Sequence, residues 1–203
     1  ASGYLSIGNY YASIKNYDKA ISYYLKSIEI ENSKESIDKS TLSVLFNNIG
    51  NAFMNLTDYD EAIKFYEQSL KIAEDISSKQ ELILVLTSLA ELYGLKADTY
   101  NLLDEDRITC LKTSLIYGTR AYELANEAKI LFMQNEASKV LMQNHRELGN
   151  HRKALEFADI FIATKDSLFN EEKTKAILEM EAKYQAEKKQ LQIEKMEKQK
   201  LLD

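Results

Sequence analysis

Two histidines and one cysteine are the residues of this chain best suited to metal binding or nucleophilic catalysis, and their spacing favours neither. His145 and His151 stand six residues apart with a predicted turn between them, so they do not share the i, i+4 helix face of a metal-binding pair. Cys110 lies in a helical apolar pattern without a cationic neighbour in sequence, which favours a buried thiol over a nucleophile. Structural roles are therefore favoured for all three residues, and no metal site is expected.

Glycine motifs that bind phosphate or present a serine nucleophile are absent from the sequence. Gly3 and Gly8 are spaced like the start of a phosphate loop, but no Lys-Ser/Thr pair follows them. Neither Gly-x-Ser-x-Gly nor Gly-x-Gly-x-x-Gly occurs. The 32 acidic residues fall on faces that helical periodicity predicts to be solvated. We therefore expect a protein that is not an enzyme and binds no cofactor.

The composition is that of a helical protein with no concentrated positive patch. The 203 residues include no proline and six glycines, and the formal net charge is −6, so helix is favoured almost throughout and direct nucleic acid binding is not expected. No apolar run reaches the length of about 18 residues that a membrane span needs. The chain starts at Ala1 without Met and ends at Asp203 inside a helical pattern, and we expect it to be part of a longer protein.

A repeat with a period of 42 residues organises the first third of the chain. The segment 4–28 returns at 46–70, so that Gly8 corresponds to Gly50 and Tyr24 to Tyr66. In each copy, apolar residues at i, i+3, i+4 and i+7 predict a first helix, and a short polar turn leads into a second helix with small and aromatic residues on one face. Such a period is typical of a solenoid built from helix pairs.

This pattern of large, small and aromatic positions resembles the tetratricopeptide repeat (TPR). The spacing is longer than the usual 34 residues of that repeat, and Asn32 stands where the family usually has proline. Both departures predict longer helices, with residues 32–40 extending the third helix. The resemblance implies an all-α solenoid of about four helix pairs, followed by a long charged C-terminal helix. The predicted array covers 1–167, with repeats at 2–31, 36–76, 80–127 and 131–165, an insertion near 96–107, and the charged helix at 168–203.

In the family, the first helices of successive repeats line a concave groove that binds a peptide or a partner helix. Asparagines recur at these positions, where we expect packing not to require them, and amides could bind an extended peptide backbone. The alternative is that they only solvate a helix face. The positions carried over to this sequence are the apolar Leu5, Val44, Leu84 and Leu95 and the polar candidates Asn9, Asn47, Asn51, Asn55, Thr87, Glu91, Lys139, Gln143 and Arg146.

One subclass of the family binds a C-terminal carboxylate with basic groove residues. Its asparagine positions are matched by Asn9 and Asn48, but its basic positions hold Leu5, Leu84 and Ser88. The resemblance therefore does not imply that specificity.

The last stretch is rich in Lys and Glu, with sparse apolar residues at Ile177, Tyr184 and Leu191, seven apart, and Met180 between them. Glu187 and Glu194 interrupt this seam, so weak coiled-coil character is predicted. Repeats followed by such a helix resemble the sensor region of bacterial membrane-anchored transcription regulators or histidine kinases.

That resemblance implies a sensor or interaction module of a bacterial signalling or transcription regulator, with a peptide or protein in the groove. It also implies a homodimer through the C-terminal helix and a membrane link only through a segment outside this chain. The implied location is extracytoplasmic (periplasmic), with the cytoplasm as the alternative. The alternative function is a free-standing soluble scaffold that assembles a protein complex.

Overall fold

Eight α-helices build the chain in the computed structural model, which describes residues 2–98 and 104–200, with side chains described as far as residue 190. In order they are α1 Ser2–Ser13, α2 Tyr17–Asn32, α3 Lys39–Asn55, α4 Tyr59–Asp75, α5 Lys79–Ala97, α6 Asp104–Ala128, α7 Leu131–Glu147 and α8 His151–Lys200. No strand occurs in the described ranges. The predicted all-α solenoid is confirmed.

Each of the first two repeats is closed by a tyrosine that packs on a glycine. Tyr24 and Tyr66 are buried, and a Cβ added at Gly8 or Gly50 would come within 2.4 or 2.6 Å of the facing ring. Only a residue without a side chain therefore allows the first helix of a repeat to approach the second so closely. The core positions at Ala20, Tyr24, Ala62 and Tyr66 that the repeat predicts are confirmed.

The turns between helices share one backbone device. The residue two places before α2, α4, α5, α7 and α8 has a positive φ in every case, and these residues are Lys15, Thr57, Ser77, Lys129 and Gly149, with φ from 51 to 71°. The left-handed conformation reverses the chain within three residues. Asn16 and Asp58 then cap α2 and α4, because their side chains accept hydrogen bonds from the N–H groups of Lys19 and Glu61 at 3.3 Å.

The segment 33–38 is not helical, which corrects the expectation that residues 32–40 extend the third helix. Glu31, buried at the end of α2, accepts hydrogen bonds from the Lys34 ammonium at 2.6 Å and the Asp38 N–H at 2.9 Å. Asp38 in turn caps α3 through Thr41 N at 3.2 Å. These bonds hold the connection as a turn, so that α3 begins at Lys39.

Neighbouring helix pairs stack through a shared apolar core. Ile28 of α2 packs with Leu45 and Ile49 of α3, and Tyr66 of α4 packs with Leu89 and other residues of α5. The first helices also contact one another, α3 with α5 and α5 with α7. The first helices of the pairs, α1, α3, α5 and α7, together form a surface that we call the odd-helix face.

The predicted insertion near 96–107 begins at the end of α5 and ends in the first turn of α6, while residues 99–103 lie outside the described part of the chain. Both of its described ends are tied to a neighbouring helix. Lys96 forms an ion pair with Asp60 at 2.9 Å, and Arg107 forms one with Glu147 at 2.8 Å.

The helix α8 runs without interruption from His151 to Lys200. The chain divides into two compact units, Ala1–Ile162 and Ala163–Asp203. In the second unit, Phe169, Ile177, Met180 and Tyr184 are all exposed. Across the described residues, none of the helices combines the length and apolarity that crossing a bilayer would require.

Candidate functional site

A pocket of about 250 Å³ lies between α5 and α7 on the odd-helix face. One wall comes from α5, where Glu91, Gly94 and Leu95 share a face through i, i+3 and i+4 spacing. The other wall comes from α7 through Lys139 and residues that follow it at helical spacing. Among the described residues, the lining is Glu91, Gly94, Leu95, Asp98, Lys139, Val140, Gln143, Asn144, Arg146 and Glu147.

The polar wall of the pocket is fixed by a hydrogen-bond relay across three helices. Asn144 is 3% exposed, and its Nδ2 donates to Ser114 Oγ of α6 at 2.5 Å. Ser114 Oγ donates to the carbonyl of Ala90 in α5. Because the serine proton is used for that carbonyl, its oxygen can only accept from Asn144. The amide of Asn144 therefore presents Nδ2 to Ser114 and turns Oδ1 towards Gly94, where an added Cβ would lie 3.0 Å away.

Some of the charges that line the pocket neutralise one another. Glu147 accepts from Arg107 at 2.8 Å through Oε2 and from Arg146 at 3.5 Å through Oε1. Among the described residues, Glu91, Asp98 and Lys139 form no ion pair within 4.0 Å. These three groups sum to one negative charge, while the two arginines that pair with Glu147 exceed its charge by one positive charge.

The surroundings of Glu91 shift the pKa of its carboxyl group. Burial between the helices raises the pKa of its carboxyl group. The Lys139 ammonium lowers that pKa and Glu136 raises it, both to a lesser degree. The burial that raises the pKa leaves the Glu91 carboxylate incompletely hydrated. The residue nevertheless remains exposed, so its carboxylate is available to a ligand.

Comparison with known proteins identifies the two repeats. Models described as tetratricopeptide repeat match residues 1–34 and 43–76. These two segments are tetratricopeptide repeats. The matched segments are the two copies found from the spacing of Gly8 and Gly50. TPR modules generally act in protein–protein interaction and are generally non-catalytic, so a protein or peptide is the expected type of partner.

Among solved structures, this TPR chain is similar to aspartyl phosphate phosphatase F from Bacillus subtilis, with a TM-score of 0.71 and 19% sequence identity. The match covers 81% of this chain and 40% of that one. A second match is BtubC (BKLC) from P. vanneervenii, with a TM-score of 0.43, 14% identity, and coverage of 79% and 78%. The first likeness shows the fold alone. No curated protein matches the chain.

Two of the candidate asparagines of the TPR groove have a packing role, which corrects the expectation that packing does not require them. The Tyr24 hydroxyl donates to Asn9 Oδ1 at 2.9 Å, and the Tyr66 hydroxyl donates to Asn51 Oδ1 at 2.6 Å. The same bond joins the same two positions in both repeats, so the buried tyrosine explains why asparagine recurs. The amino groups of these two amides are the part left to bind a ligand.

The other candidates outside the pocket differ in exposure. Asn55 is exposed and accepts from the Tyr17 hydroxyl at 3.1 Å. Thr87 is half-buried and donates to the Ile83 carbonyl at 2.8 Å. Asn47 is 1% exposed, and within the described chain neither its Nδ2 nor its Oδ1 has a partner. In this conformation Asn47 does not line an open groove.

The pocket brings together four of the nine candidates from the sequence, namely Glu91, Lys139, Gln143 and Arg146. Sequence reasoning missed Gly94 and Asn144, which shape its wall. A signal for Asn144 was present, because Ala137, Val140, Leu141 and Asn144 share one buried face of α7 at helical spacing. A polar residue on such a face must find a buried partner.

The histidines and the cysteine lie away from this pocket. His145 is buried and stacks on Phe157 with ring centroids 5.7 Å apart, and burial lowers its pKa. His151 is exposed at the start of α8. Cys110 is half-buried, and burial raises the pKa of its thiol.

Proposed function

We propose that this chain is the peptide- or protein-binding region of a bacterial signalling or transcription regulator, and that the pocket between α5 and α7 is the centre of its binding surface. The pocket carries the proposal, because it is concave and accessible, and its lining includes Glu91, Asp98 and Lys139, which form no ion pair with any described residue. An extended peptide on the odd-helix face would place one side chain in the pocket and its backbone beside Asn9, Asn51 and Asn55.

The C-terminal unit supports a regulator through its exposed apolar stripe. Phe169, Ile177, Met180 and Tyr184 follow one another at intervals of 8, 3 and 4 residues, which places them on one face of a helix. These side chains are 48 to 73% exposed. A second copy of the helix would cover the stripe, and the dimer would pass the state of the binding surface to an output domain outside this chain.

Peptide binding is tested by selecting ligands from a random peptide library on the immobilised protein. A selected peptide is then titrated by isothermal calorimetry against Gln143→Ala, which removes a pocket amide, and against Arg152→Ala as control. Arg152 is a matched polar residue on α8 that does not line the pocket and is exposed. We expect Gln143→Ala to weaken binding about fivefold or more, as for a lost hydrogen bond. Failure to select any peptide, or equal affinities for the two variants, would contradict the proposal.

Dimerisation is tested by sedimentation velocity with Ile177→Glu and, as matched control, Leu178→Glu. Both residues are exposed leucine-sized side chains, but Leu178 lies about 100° around the helix from Ile177. A dimer that Ile177→Glu dissociates and Leu178→Glu preserves supports the regulator. A monomer that co-purifies with several stable partners supports the free-standing scaffold instead.

A further inference from the structure

Outside the ion pairs, the α5–α7 pocket offers acceptors at Glu91 and Asp98, a donor at Lys139, and an amide at Gln143 that is both. Arg146 and Arg107 both pair with Glu147. The relay through Ser114 uses the amino group of Asn144 and leaves its Oδ1 facing the pocket at Gly94. No described residue donates a hydrogen bond to this Oδ1, so an occupant of the pocket that brings N–H donors can bind it.

The charges of Glu91, Asp98 and Lys139 favour the same type of occupant. Glu91 and Asp98 carry two negative charges on one wall, and Lys139 carries one positive charge that forms no ion pair with any described residue. Burial raises the pKa of Glu91 although Lys139 is near enough to lower it. The lysine therefore compensates that carboxylate only in part, and a cation entering the pocket would complete the compensation.

The size of the pocket limits the occupant to about one side chain. A volume of about 250 Å³ accommodates one long side chain and excludes a folded element. Two acceptors in different directions, the Glu91 carboxylate and the Asn144 Oδ1, suit the planar fork of a guanidinium better than the single head of an ammonium.

We propose that the pocket is a subsite for an arginine side chain of the bound peptide, with its guanidinium donating to the carboxylate of Glu91 and to Oδ1 of Asn144. This assignment rests on the peptide-binding function proposed above. Gly94 is the specificity-determining position, because its missing side chain is what opens the Asn144 oxygen to the ligand.

The test uses N-acetyl-L-arginine N-methylamide as the probe, titrated into the ¹⁵N-labelled protein while the Gly94 amide and the Asn144 side-chain amide are followed by NMR. The corresponding norleucine and glutamate compounds control for the apolar stem and for the sign of the charge. We expect saturable shifts with the arginine probe alone, at about millimolar affinity for a ligand of this size. Glu91→Gln should weaken binding about tenfold, as for loss of a charged hydrogen bond.

Two further variants keep the test specific. Glu123→Gln removes an exposed acid of α6 that does not line the pocket and should leave binding unchanged. Gly94→Ala places a methyl group 3.0 Å from Asn144 Oδ1 and should abolish binding while circular dichroism shows a folded protein.

Absence of shifts with the arginine probe, equal binding of the glutamate probe, or unchanged affinity in Glu91→Gln would each overturn the subsite. If library peptides still bind and lose affinity in Gln143→Ala, the peptide-binding function stands and only the arginine assignment falls.

Discussion

Replacement of Asn47 by leucine should stabilise the protein. Asn47 is 1% exposed on α3, and within the described chain both polar atoms of its amide lack a partner. Leaving a buried polar group unsatisfied costs about 1–3 kcal/mol, whereas leucine has the same branching of side-chain heavy atoms and only apolar atoms. We expect Asn47→Leu to raise the free energy of unfolding by about 2 kcal/mol. For a chain of this length that corresponds to an increase in Tm of about 4–8 °C.

Urea denaturation followed by circular dichroism measures this change, and Asn144→Leu is the matched control. Asn144 is also a buried amide of an odd-numbered helix, but its Nδ2 donates to Ser114 at 2.5 Å, so its loss should destabilise by about 1–3 kcal/mol. A loss of stability in Asn47→Leu would refute the reasoning, since it would mean that the amide of Asn47 is satisfied by a bound water or ligand.

Three further predictions concern packing, charge and backbone. Gly50→Ala should destabilise by about 1–2 kcal/mol in urea, because overpacking against the buried ring of Tyr66 outweighs the helix propensity of alanine. Gly3→Ala, in α1 with nothing within 4 Å, should range from neutral to about 1 kcal/mol stabilising. The raised pKa of Glu91 means that the folded state holds this proton more tightly than the unfolded state, whose value is about 4.5. The stability that protonated Glu91 contributes to the wild type is therefore lost as the pH rises above the pKa of the unfolded state. Thermal melts should show a higher Tm for Glu91→Gln than for the wild type at pH 7, and this difference in Tm should shrink towards about pH 4. Thr57→Gly should raise stability by about 0.5–1 kcal/mol in urea, because Thr57 has a φ of 62° that disfavours a β-branched residue; a decrease would show that its side-chain contacts outweigh the strain.

The sequence predicts those parts of the fold whose determinants lie within one repeat. The tyrosine at the second helix and the glycine at the first are 16 residues apart in both copies, as in Gly8 and Tyr24, and their complementary sizes are visible without a structure. The connection at 33–38 could not be predicted in this way. Its course depends on the bond between the Glu31 carboxylate and the Asp38 N–H, which helical periodicity does not report.

The candidate site shows the same limit. The carry-over of repeat positions found Glu91 and Lys139, because each is defined by its place in its own helix. The Asn144–Ser114–Ala90 relay connects three helices, and the spacing between these residues changes with the insertion near 96–107. The apolar surroundings of Asn144 in sequence therefore predict a buried polar side chain, but they do not identify Ser114 as its hydrogen-bond partner.

The most direct test of the peptide-binding account is site-specific photocrosslinking of a library-selected peptide. p-Benzoylphenylalanine is placed at Gln143, which lines the pocket between α5 and α7, or at Glu123 on α6, which does not. The account predicts a crosslinked peptide from position 143 and none from position 123. A crosslink at position 123 alone would contradict it and move the binding surface away from the odd-helix face.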